Sequence, residues 1–546
     1  MEQARLFLAI GLSILVFITW NYFFAPPPAP LNETLPAQET TAQAPDDGAG
    51  EKMASPPDAA LPDVAVSATD TPVRQIRVDT KLYQATLTER GALVKQLALK
   101  AYRESAGADA PYKTLISKSV AGNCGVSFGD IATDTRRFTA TTDGDTLVVD
   151  DASQTLSFVW AGTDGLTVEK TFTFYPDTYR IDYAVTLFNQ GRASVNGPVS
   201  VGLTHDFSET QDRISFSGPA ALIGREVETV KLKKIKKQSR YPGEIHWIAL
   251  EDRYFMSALV PDSPVTASMQ LAEVDGVVDA RLEQAAPVLP PGTHQTFSYH
   301  LYMGPKQVNV LESVGFELKK AVDFGFFDMV AKIFLWLLNL CHDRVIANYG
   351  VCIILLTLGI KIVLWPLGTK SYTAMSEMKK LQPLMADIRE KYKNDKQKMN
   401  EEVMRLYRTY KVNPMSGCLP MLVQLPIFLA FYRVLYEAIE LRHAPFAGWI
   451  TDLSAPDRLF HFGFSIPMMA EPYGIPVLTI VMGATMFLQQ KMSPPAGDPT
   501  QAKMMMFLPL IFTVIFINFP AGLVLYWLVN NILSIGQQTY IMKKLA

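Results

Sequence analysis

Long apolar stretches divide the sequence and predict where the chain crosses a membrane. The stretch from Asn348 to Leu367 holds about 20 residues, which at roughly 1.5 Å per residue cover the ~30 Å hydrocarbon layer of a bilayer. Comparable stretches bring the predicted transmembrane helices to six, at residues 1–24, 348–367, 418–440, 473–491, 503–519 and 520–542. The pattern therefore predicts a multi-span α-helical membrane protein.

The first apolar stretch, residues 1–24, is predicted to remain attached as a signal-anchor transmembrane helix. Pro26, Pro27 and Pro28 follow it without an A-x-A cleavage site, and it is longer than the apolar part of an ordinary signal peptide. Residues 25–71 are rich in Pro, Ala, Thr and Asp and poor in aromatic and branched side chains. Such a composition cannot offset the entropy of ordering, so we predict a disordered linker.

Between residues 72 and 320 the apolar positions alternate over short runs, which is the period of a β-strand. Two such runs in Leu166–Asn189 flank turn residues at 175–178, so we predict a hairpin there. Many short strands with turn signals predict an antiparallel β-sandwich. The histidines of this region lack metal-ligand spacing and are assigned structural roles: His205, His246, His294 and His300.

Residues 321–347 and 368–417 show a helical period instead. The first segment is apolar but short for a span and carries Asp328 and Lys332, so we predict an amphipathic helix in the membrane interface. The second segment has apolar side chains at steps of three and four on both sides of residues 394–395, which predicts a helical hairpin. Two interpretations of this hairpin stay open: a connector, or a surface that binds a ribosome, a targeting receptor or a nascent chain.

The distribution of charge predicts the orientation. Residues 368–417 contain 11 Lys and Arg against six Asp and Glu, and the positive-inside rule places them in the cytoplasm. In a six-span arrangement, residues 492–502 and both termini then lie on the cytoplasmic side. Residues 25–320 and 441–472 lie on the opposite side, so the predicted β-sandwich is extracytoplasmic.

Composition and motifs exclude several classes of function. The net charge is −3, the four cysteines form no C-x-x-C motif, and the seven histidines form no H-E-x-x-H motif. These spacings indicate neither a metal site nor a disulfide framework. The glycine-rich phosphate-binding motifs G-x-x-x-x-G-K-[ST] and G-x-G-x-x-G do not occur, so no bound nucleotide is indicated. We therefore expect no enzymatic activity, no cofactor and no binding of nucleic acid.

One charged residue, Lys361, lies within the stretch 348–367. A charge deep in a bilayer costs about 2.5–3.5 kcal/mol on insertion scales, so its presence requires an explanation. Two explanations stay open. The flexible stem can carry the ammonium to the headgroups, since Pro366 lies near the end of the stretch. Alternatively, the side chain faces a polar cavity inside the membrane.

Further polar residues occur at similar depth in the predicted spans: Thr357, Gln424, Asn530 and Asn531. Each can hydrogen-bond a neighbouring helix, as intramembrane amides often do. Because Lys361 has no acidic counterpart at matching depth, the set favours a shared hydrated cavity that attracts the acidic tail of another membrane protein.

Two alternative functions stay open. The first is an ion or solute transporter that uses Lys361, although no internal repeat supports it. The second is a membrane-tethered envelope or carbohydrate-binding protein whose working part is the β-sandwich.

Four segments resemble signature segments of the YidC membrane-protein insertase family: VNPMSGCLPMLVQLPIFLAFYRVL (412–435), LRHAPFAGWITDLSAPD (441–457), VMGATMFLQQKMSP (481–494) and NFPAGLVLYWLVNN (518–531). The resemblance covers about 324 to 542, and the β-domain behind a signal anchor resembles the Gram-negative bacterial form. It implies a five-helix insertase core in the bacterial inner membrane, with residues 25–320 forming a periplasmic supersandwich.

The resemblance also implies residues for a hydrophilic groove. The functional basic residue of the second span falls on Lys361, where many relatives carry arginine. The amide of the third span falls on Gln424, and the polar and aromatic positions of the last span fall on Tyr526, Trp527 and Asn530. With Thr357, these residues form our predicted substrate-binding groove.

The implied function is insertion and chaperoning of nascent membrane proteins. Polar tails pass through the groove and helices are released into the lipid bilayer, either alone or with the Sec translocon and its accessory subunits. The resemblance implies no nucleotide hydrolysis.

Overall fold

The computed structural model of the chain describes residues 73–107, 109–116, 120–163, 165–208, 215–410, 412, 419–492 and 499–545. The predicted signal anchor (1–24) and the predicted linker (25–71) lie outside the described residues.

The β-strands, numbered in chain order, are β1 Gln75–Thr80, β2 Tyr83–Thr88, β3 Leu93–Arg103, β4 Tyr112–Thr114, β5 Gly125–Phe128, β6 Ile131–Ala132, β7 Thr139–Ala140, β8 Thr146–Val149, β9 Gln154–Ala161, β10 Leu166–Phe174, β11 Arg180–Asn189, β12 Val199–Asp206, β13 Gly218–Ile223, β14 Glu226–Thr229, β15 Arg240–Glu251, β16 Phe255–Pro261, β17 Val265–Val274, β18 Val277–Gln284, β19 His294–Pro305, β20 Leu459–His461 and β21 Gly474–Ile475.

Strands β1 to β19 form two sheets that share one hydrophobic core, which we call the β-domain. The smaller sheet has the order β4-β3-β2-β1-β8. The larger sheet has the order β6-β5-β12-β18-β17-β15-β16-β19-β11-β10-β9-β7, with β13 and β14 attached beside β15. The predicted β-sandwich is confirmed. The antiparallel prediction is wrong for one pair, because β1 and β8 are parallel.

The predicted hairpin is the pair β10 and β11. Its antiparallel register runs from Leu166 opposite Asn189 to Phe174 opposite Ile181. Alternate residues of both strands are buried, as the period-two pattern predicted. Phe172 lies opposite Tyr183 with ring centroids 4.7 Å apart, so this cross-strand pair contributes aromatic packing to the core.

The α-helices, numbered in chain order, are α1 Leu232–Ile235, α2 Val308–Val314, α3 Asp328–Arg344, α4 Tyr349–Val363, α5 Trp365–Lys380, α6 Gln382–Lys391, α7 Lys396–Thr409, α8 Leu419–Glu437, α9 Val477–Met492, α10 Pro499–Phe516 and α11 Ala521–Leu545. Helix α11 packs against α4, α5, α8 and α9, and α9 also packs against α10. Helix α11 is thus the central element of the helical region.

The predicted span 348–367 is interrupted. Helix α4 ends at Val363, and α5 starts at Trp365 at an angle of 65° to it. Pro366 occupies the first turn of α5, where its missing N–H costs least and its ring prevents the preceding helix from continuing. The apolar pattern continues across this proline, which is why the sequence predicted an unbroken helix.

Length and hydropathy do not reproduce the six-span prediction. Among the described residues, one continuous helical segment, a 3-10 turn at Gly325–Phe327 followed by α3, is long and apolar enough to cross a bilayer (Gly325–Arg344), and the bent pair α4 and α5 passes the same test together. The segment predicted as interfacial is therefore a 20-residue helical segment rather than one too short to span. Its placement in the interface stays a prediction, as does the number of spans.

Within the described part of the segment predicted as a hairpin, helices lie on both sides of residues 394–395. Helix α5 already includes residues 365–380, and a break at Leu381 separates it from α6. Pro383 lies in the first turn of α6, so the proline ends one helix and starts the next. Helices α6 and α7 then pack together, with the Tyr407 hydroxyl 3.1 Å from the Met385 sulfur.

Two arginines join the β-domain to the helices. Arg253, between β15 and β16, donates from Nε to the Tyr436 carbonyl at 2.7 Å and lies 3.9 Å from the centroid of the Tyr436 ring. Arg442, just beyond α8, donates to the Arg103 carbonyl at 2.6 Å. Each guanidinium also lies within 6 Å of the Tyr254 ring, at a distance where a cation attracts an aromatic face. The C-terminal end of α8 is therefore held against the β-domain.

Candidate functional site

The side chain of Lys361 extends from α4 to the central helix α11. Its Nζ donates a hydrogen bond to the Ser534 hydroxyl at 2.7 Å. Across the described part of the chain, no carboxylate lies within 4 Å of this ammonium. A neutral oxygen satisfies one N–H but leaves the charge uncompensated.

Helix α11 places three polar side chains along one face, because Asn530, Ser534 and Gln537 are separated by four and three residues. The Ser534 hydroxyl donates to the Asn530 carbonyl at 2.6 Å. The Gln537 amide donates to the Trp365 carbonyl at 3.0 Å, beside the break between α4 and α5. This face therefore runs from the middle of α11 to the bend of the neighbouring helix pair.

Gln424 extends this face to a third helix. Its Nε2 donates to Asn530 Oδ1 at 2.9 Å, which connects α8 to α11. The half-buried side chains of Lys361, Gln424 and Asn530 thus belong to one connected set with the buried Ser534. We call the set Lys361, Gln424, Asn530, Ser534 and Gln537 the polar path.

An aromatic cluster lies next to the polar path, one helical turn before Asn530, and its Tyr526 hydrogen-bonds Gln424. Tyr526 is buried and meets Phe431 edge to face, with ring centroids 4.9 Å apart. Trp527 meets Phe428 in the same way at 4.7 Å and Phe516 at 5.0 Å. Such edge-to-face pairs are stable packing arrangements, so they form a tight apolar layer across α8, α10 and α11.

The structure does not bring Thr357 into the polar path. Its hydroxyl is buried and donates to the Ile353 carbonyl of its own helix at 2.6 Å. Asn531 faces a different neighbour, since its Nδ2 donates to Thr485 of α9 at 3.3 Å. Of the predicted polar residues, Lys361, Gln424 and Asn530 are thus joined, whereas Thr357 and Asn531 are satisfied elsewhere.

Sequence reasoning missed Ser534 and Gln537 as members of the path. A single serine in a helix carries little signal alone, because its hydroxyl often bonds the preceding turn. The spacing of Ser534 could have indicated its place on the polar face of α11, because it lies four residues after Asn530 and three before Gln537. Tyr372 of α5 also hydrogen-bonds Ser534, and sequence reasoning missed it as well.

A second basic residue of the predicted spans, Arg433, is paired within its own helix. Arg433 forms a 2.9 Å ion pair with Glu437, four residues later on the same helix face. Arg433 also donates from Nε to the Phe324 carbonyl at 3.2 Å. Lys361 therefore differs from Arg433 in lacking a carboxylate partner within the described residues.

No metal centre accompanies these residues in the described part of the chain, where no three His, Cys, Asp or Glu side chains are grouped to hold an ion. The donor set of the polar path consists of one ammonium, three amides and a hydroxyl. It can hydrogen-bond a polar peptide and attract an anion.

Comparison with known proteins identifies relatives over the whole chain. The family model described as the YidC periplasmic domain matches residues 75–337, and the one described as 60Kd inner membrane protein matches residues 341–546. "Membrane protein insertase YidC" from Syntrophus aciditrophicus (strain SB) is 40% identical and covers 98% of this chain and 99% of its own length. The protein of that name from Pelobacter propionicus is 38% identical and covers 99% of each chain.

A solved structure of an active YidC insertase with its first transmembrane domain resolved is 19% identical, with a TM-score of 0.36, over 85% of this chain and 93% of that one. The family assignment rests on the sequence relatives, whose identity extends from the β-domain through the helices that carry the polar path. The chain belongs to the YidC membrane protein insertase family.

Proposed function

We propose that this chain inserts and chaperones membrane proteins in the bacterial inner membrane by passing their polar tails along the polar path and releasing their helices into lipid. The observation that carries the proposal is the Lys361 ammonium, which bonds the neutral Ser534 hydroxyl at 2.7 Å. Because no carboxylate of the described residues pairs with it, its positive charge is available to an anionic group of a substrate.

The polar path lowers the barrier for a tail in two ways. Gln424, Asn530 and Ser534 provide hydrogen-bond partners at a depth where lipid offers none. The charge of Lys361 attracts an acidic tail more strongly than it would in water, because the surroundings have a lower dielectric constant. An inside-negative potential adds about 2.3 kcal/mol per negative charge per 100 mV for outward movement.

Release of the apolar helix needs no fuel, because its transfer from water to lipid is favourable. We therefore expect no catalytic step, in agreement with relatives that are named for insertion. The aromatic cluster around Tyr526 and Trp527 packs at the Asn530 end of the path. A polar path that meets aromatic packing at one end favours an insertase over a transporter, which needs a route across the whole bilayer.

The membrane arrangement is part of the proposal. Six spans place both termini, the segment 368–417 and the loop 492–502 in the cytoplasm. The β-domain and the segment 441–472 lie in the periplasm, and α3 lies at the interface between them and the lipid. The family's own descriptions, an inner membrane protein with a periplasmic domain, support this orientation.

Two kinds of partner follow from this arrangement. The pair α6 and α7, which carries more basic than acidic residues, would meet a ribosome or a targeting receptor on the cytoplasmic side. The β-domain and the helices together would cooperate with the Sec translocon and its accessory subunits, as the family resemblance implies.

Deleting residues 72–304 tests which part of the chain performs insertion. We expect the shortened chain, reconstituted in proteoliposomes, to insert a small single-span substrate at a rate close to that of the full chain, because the polar path lies entirely on α4, α8 and α11. The matched control carries the same deletion with Lys361→Ala and should lose insertion of substrates with acidic tails. If the deletion alone abolishes insertion while the helices stay folded, the β-domain is the working part and the proposal is wrong.

A further inference from the structure

Residues 459–475 form a small hairpin between α8 and α9 that the insertion mechanism does not use. Strands β20 and β21 pair at its base. Its tip, residues 462–470, reads FGFSIPMMA and contains no charged residue. Phe460, Phe464 and Met468 are 67%, 64% and 75% exposed, which is unusual for large apolar side chains of one short loop.

The base of this hairpin is held by a buried arginine. Arg458 donates to the carbonyls of Pro472, Asp457 and Ile517, each at 2.8 Å. Ile517 belongs to the turn between α10 and α11. One guanidinium therefore connects both ends of the hairpin to the adjacent helix pair, and five fixed N–H donors suit it to this task.

Asp457 fixes the hairpin to α9. Its Oδ2 accepts from the backbone N–H of Leu478 at 2.5 Å and of Thr479 at 3.4 Å, at the start of that helix. Its Oδ1 accepts from the Trp449 indole at 2.5 Å. A carboxylate at a helix N-terminus is favourable both as a hydrogen-bond acceptor and as a charge. The hairpin is thus attached to the ends of three helices.

Part of the backbone of the tip is hydrogen-bonded within the protein. The Asn518 side chain donates to the Met468 carbonyl and accepts from the Ala470 N–H, both at 2.8 Å. The Phe462 N–H donates to the Tyr473 carbonyl at 2.8 Å. These bonds reduce the number of polar backbone groups that the tip would carry into an apolar environment.

The exposed tip is continuous with apolar side chains at the start of α9. Ile475 at the end of β21, followed by Ile480 and Val481, is also exposed. These residues form the outer end of a helix surface that faces lipid in the proposed arrangement. The same apolar surface thus extends from the helix onto the hairpin.

We propose that the tip of the hairpin inserts among the acyl chains of the membrane leaflet nearest the β-domain and fixes the depth of α9, α10 and α11. This inference rests on the proposed membrane placement of those helices and not on the role of Lys361. Lipid is the occupant because the tip offers large apolar side chains and no charge, and because its apolar surface continues onto α9.

Quenching by lipids brominated on their acyl chains tests this placement in the full chain, reconstituted at one copy per nanodisc. The brominated lipids should quench the tryptophan introduced by Phe464→Trp. Its emission is obtained by subtracting the emission of the unaltered chain from that of the variant. Val274→Trp is the matched control, because Val274 is an exposed apolar residue (69%) at a turn of the β-domain. It should keep its emission and be quenched by aqueous iodide instead.

Ile480→Trp separates the hairpin from the helices, because it reports whether α9 lies in lipid. Quenching at positions 464 and 480 but not at 274 supports the inference. Quenching at 480 without quenching at 464 overturns it and leaves the proposed insertase arrangement intact. Protection of position 464 from both lipid bromine and iodide also overturns it, since that result means that protein covers the tip. No quenching at 480 removes the membrane placement on which the inference rests and so overturns it as well.

Discussion

Replacing Lys361 with alanine is expected to slow insertion of substrates with acidic tails by about 10- to 100-fold. The variant removes a charged hydrogen-bond donor worth about 1.5–3 kcal/mol, and each 1.4 kcal/mol corresponds to a factor of ten in rate. The loss acts on the substrate and not on the fold, because Ser534 keeps its own bond to the Asn530 carbonyl. Insertion rates in proteoliposomes with an imposed potential measure the effect.

Two controls show whether the charge is responsible. Lys361→Arg keeps the charge and should retain most of the rate, although a planar guanidinium contacts Ser534 differently. A substrate whose tail is neutral should be inserted by Lys361→Ala almost as well as by the unaltered chain. Equal slowing of acidic and neutral tails would mean that Lys361 supports only the packing of α4 against α11.

Above pH 10.5, where the cost of burying the Lys170 charge no longer acts, replacing Lys170 with methionine is expected to destabilise the β-domain by about 2–4 kcal/mol. Lys170 is fully buried, and its Nζ donates to the carbonyls of Gly91 at 2.6 Å and Cys124 at 2.9 Å. Methionine fills a similar volume but donates nothing, so Gly91 loses the donor that Lys170 provides. Cys124 keeps a weaker bond from the Tyr183 hydroxyl at 3.3 Å. Thermal unfolding should shift downward by about 5–15 °C.

The effect of Lys170 should also depend on pH. Burial lowers the pKa of the Lys170 ammonium from 10.5 to about 8. Between these values the unfolded chain holds a proton that the folded chain has released, so this residue adds stability as the pH rises from about 8 to 10.5. Lys170→Met should lack this rise in stability with pH. Lys81→Met is the control: Lys81 forms an exposed ion pair with Asp177, so this variant should change the free energy of unfolding by less than about 1 kcal/mol. Equal unfolding midpoints of Lys170→Met and Lys81→Met above pH 10.5 would contradict the account.

The sequence predicts the buried face of β10 but not the partners of Lys170. Alternation placed Val168, Lys170 and Phe172 on one side of the strand, and these residues are buried. The carbonyls that accept from Lys170 lie 79 and 46 residues away in sequence. Local patterns contain no information about contacts at that separation, because the topology of the two sheets creates them.

The same limit applies to the polar path. Lys361, Gln424 and Asn530 could be found because polar groups are conspicuous in apolar stretches, and the helices do bring them together. Thr357 was equally conspicuous, but a threonine in a helix can satisfy its hydroxyl on the preceding turn, and it does so. Ser534 could only be found from its spacing along α11. The bend at Pro366 was missed because hydropathy does not register a change of direction.

Water accessibility along α11 tests the central claim most directly. In proteoliposomes, a membrane-impermeant thiol reagent should label Asn530→Cys and Gln424→Cys, after subtraction of the labelling of the unaltered chain. Asn531→Cys is the matched control. Asn531 follows Asn530 directly in sequence but is buried against Thr485 of α9, so a cysteine at position 531 should stay unlabelled. Labelling of position 530 but not 531 is the predicted result. Protection of positions 424 and 530 to the same degree as 531 would mean that the interior is dry and packed, and would contradict the proposed groove.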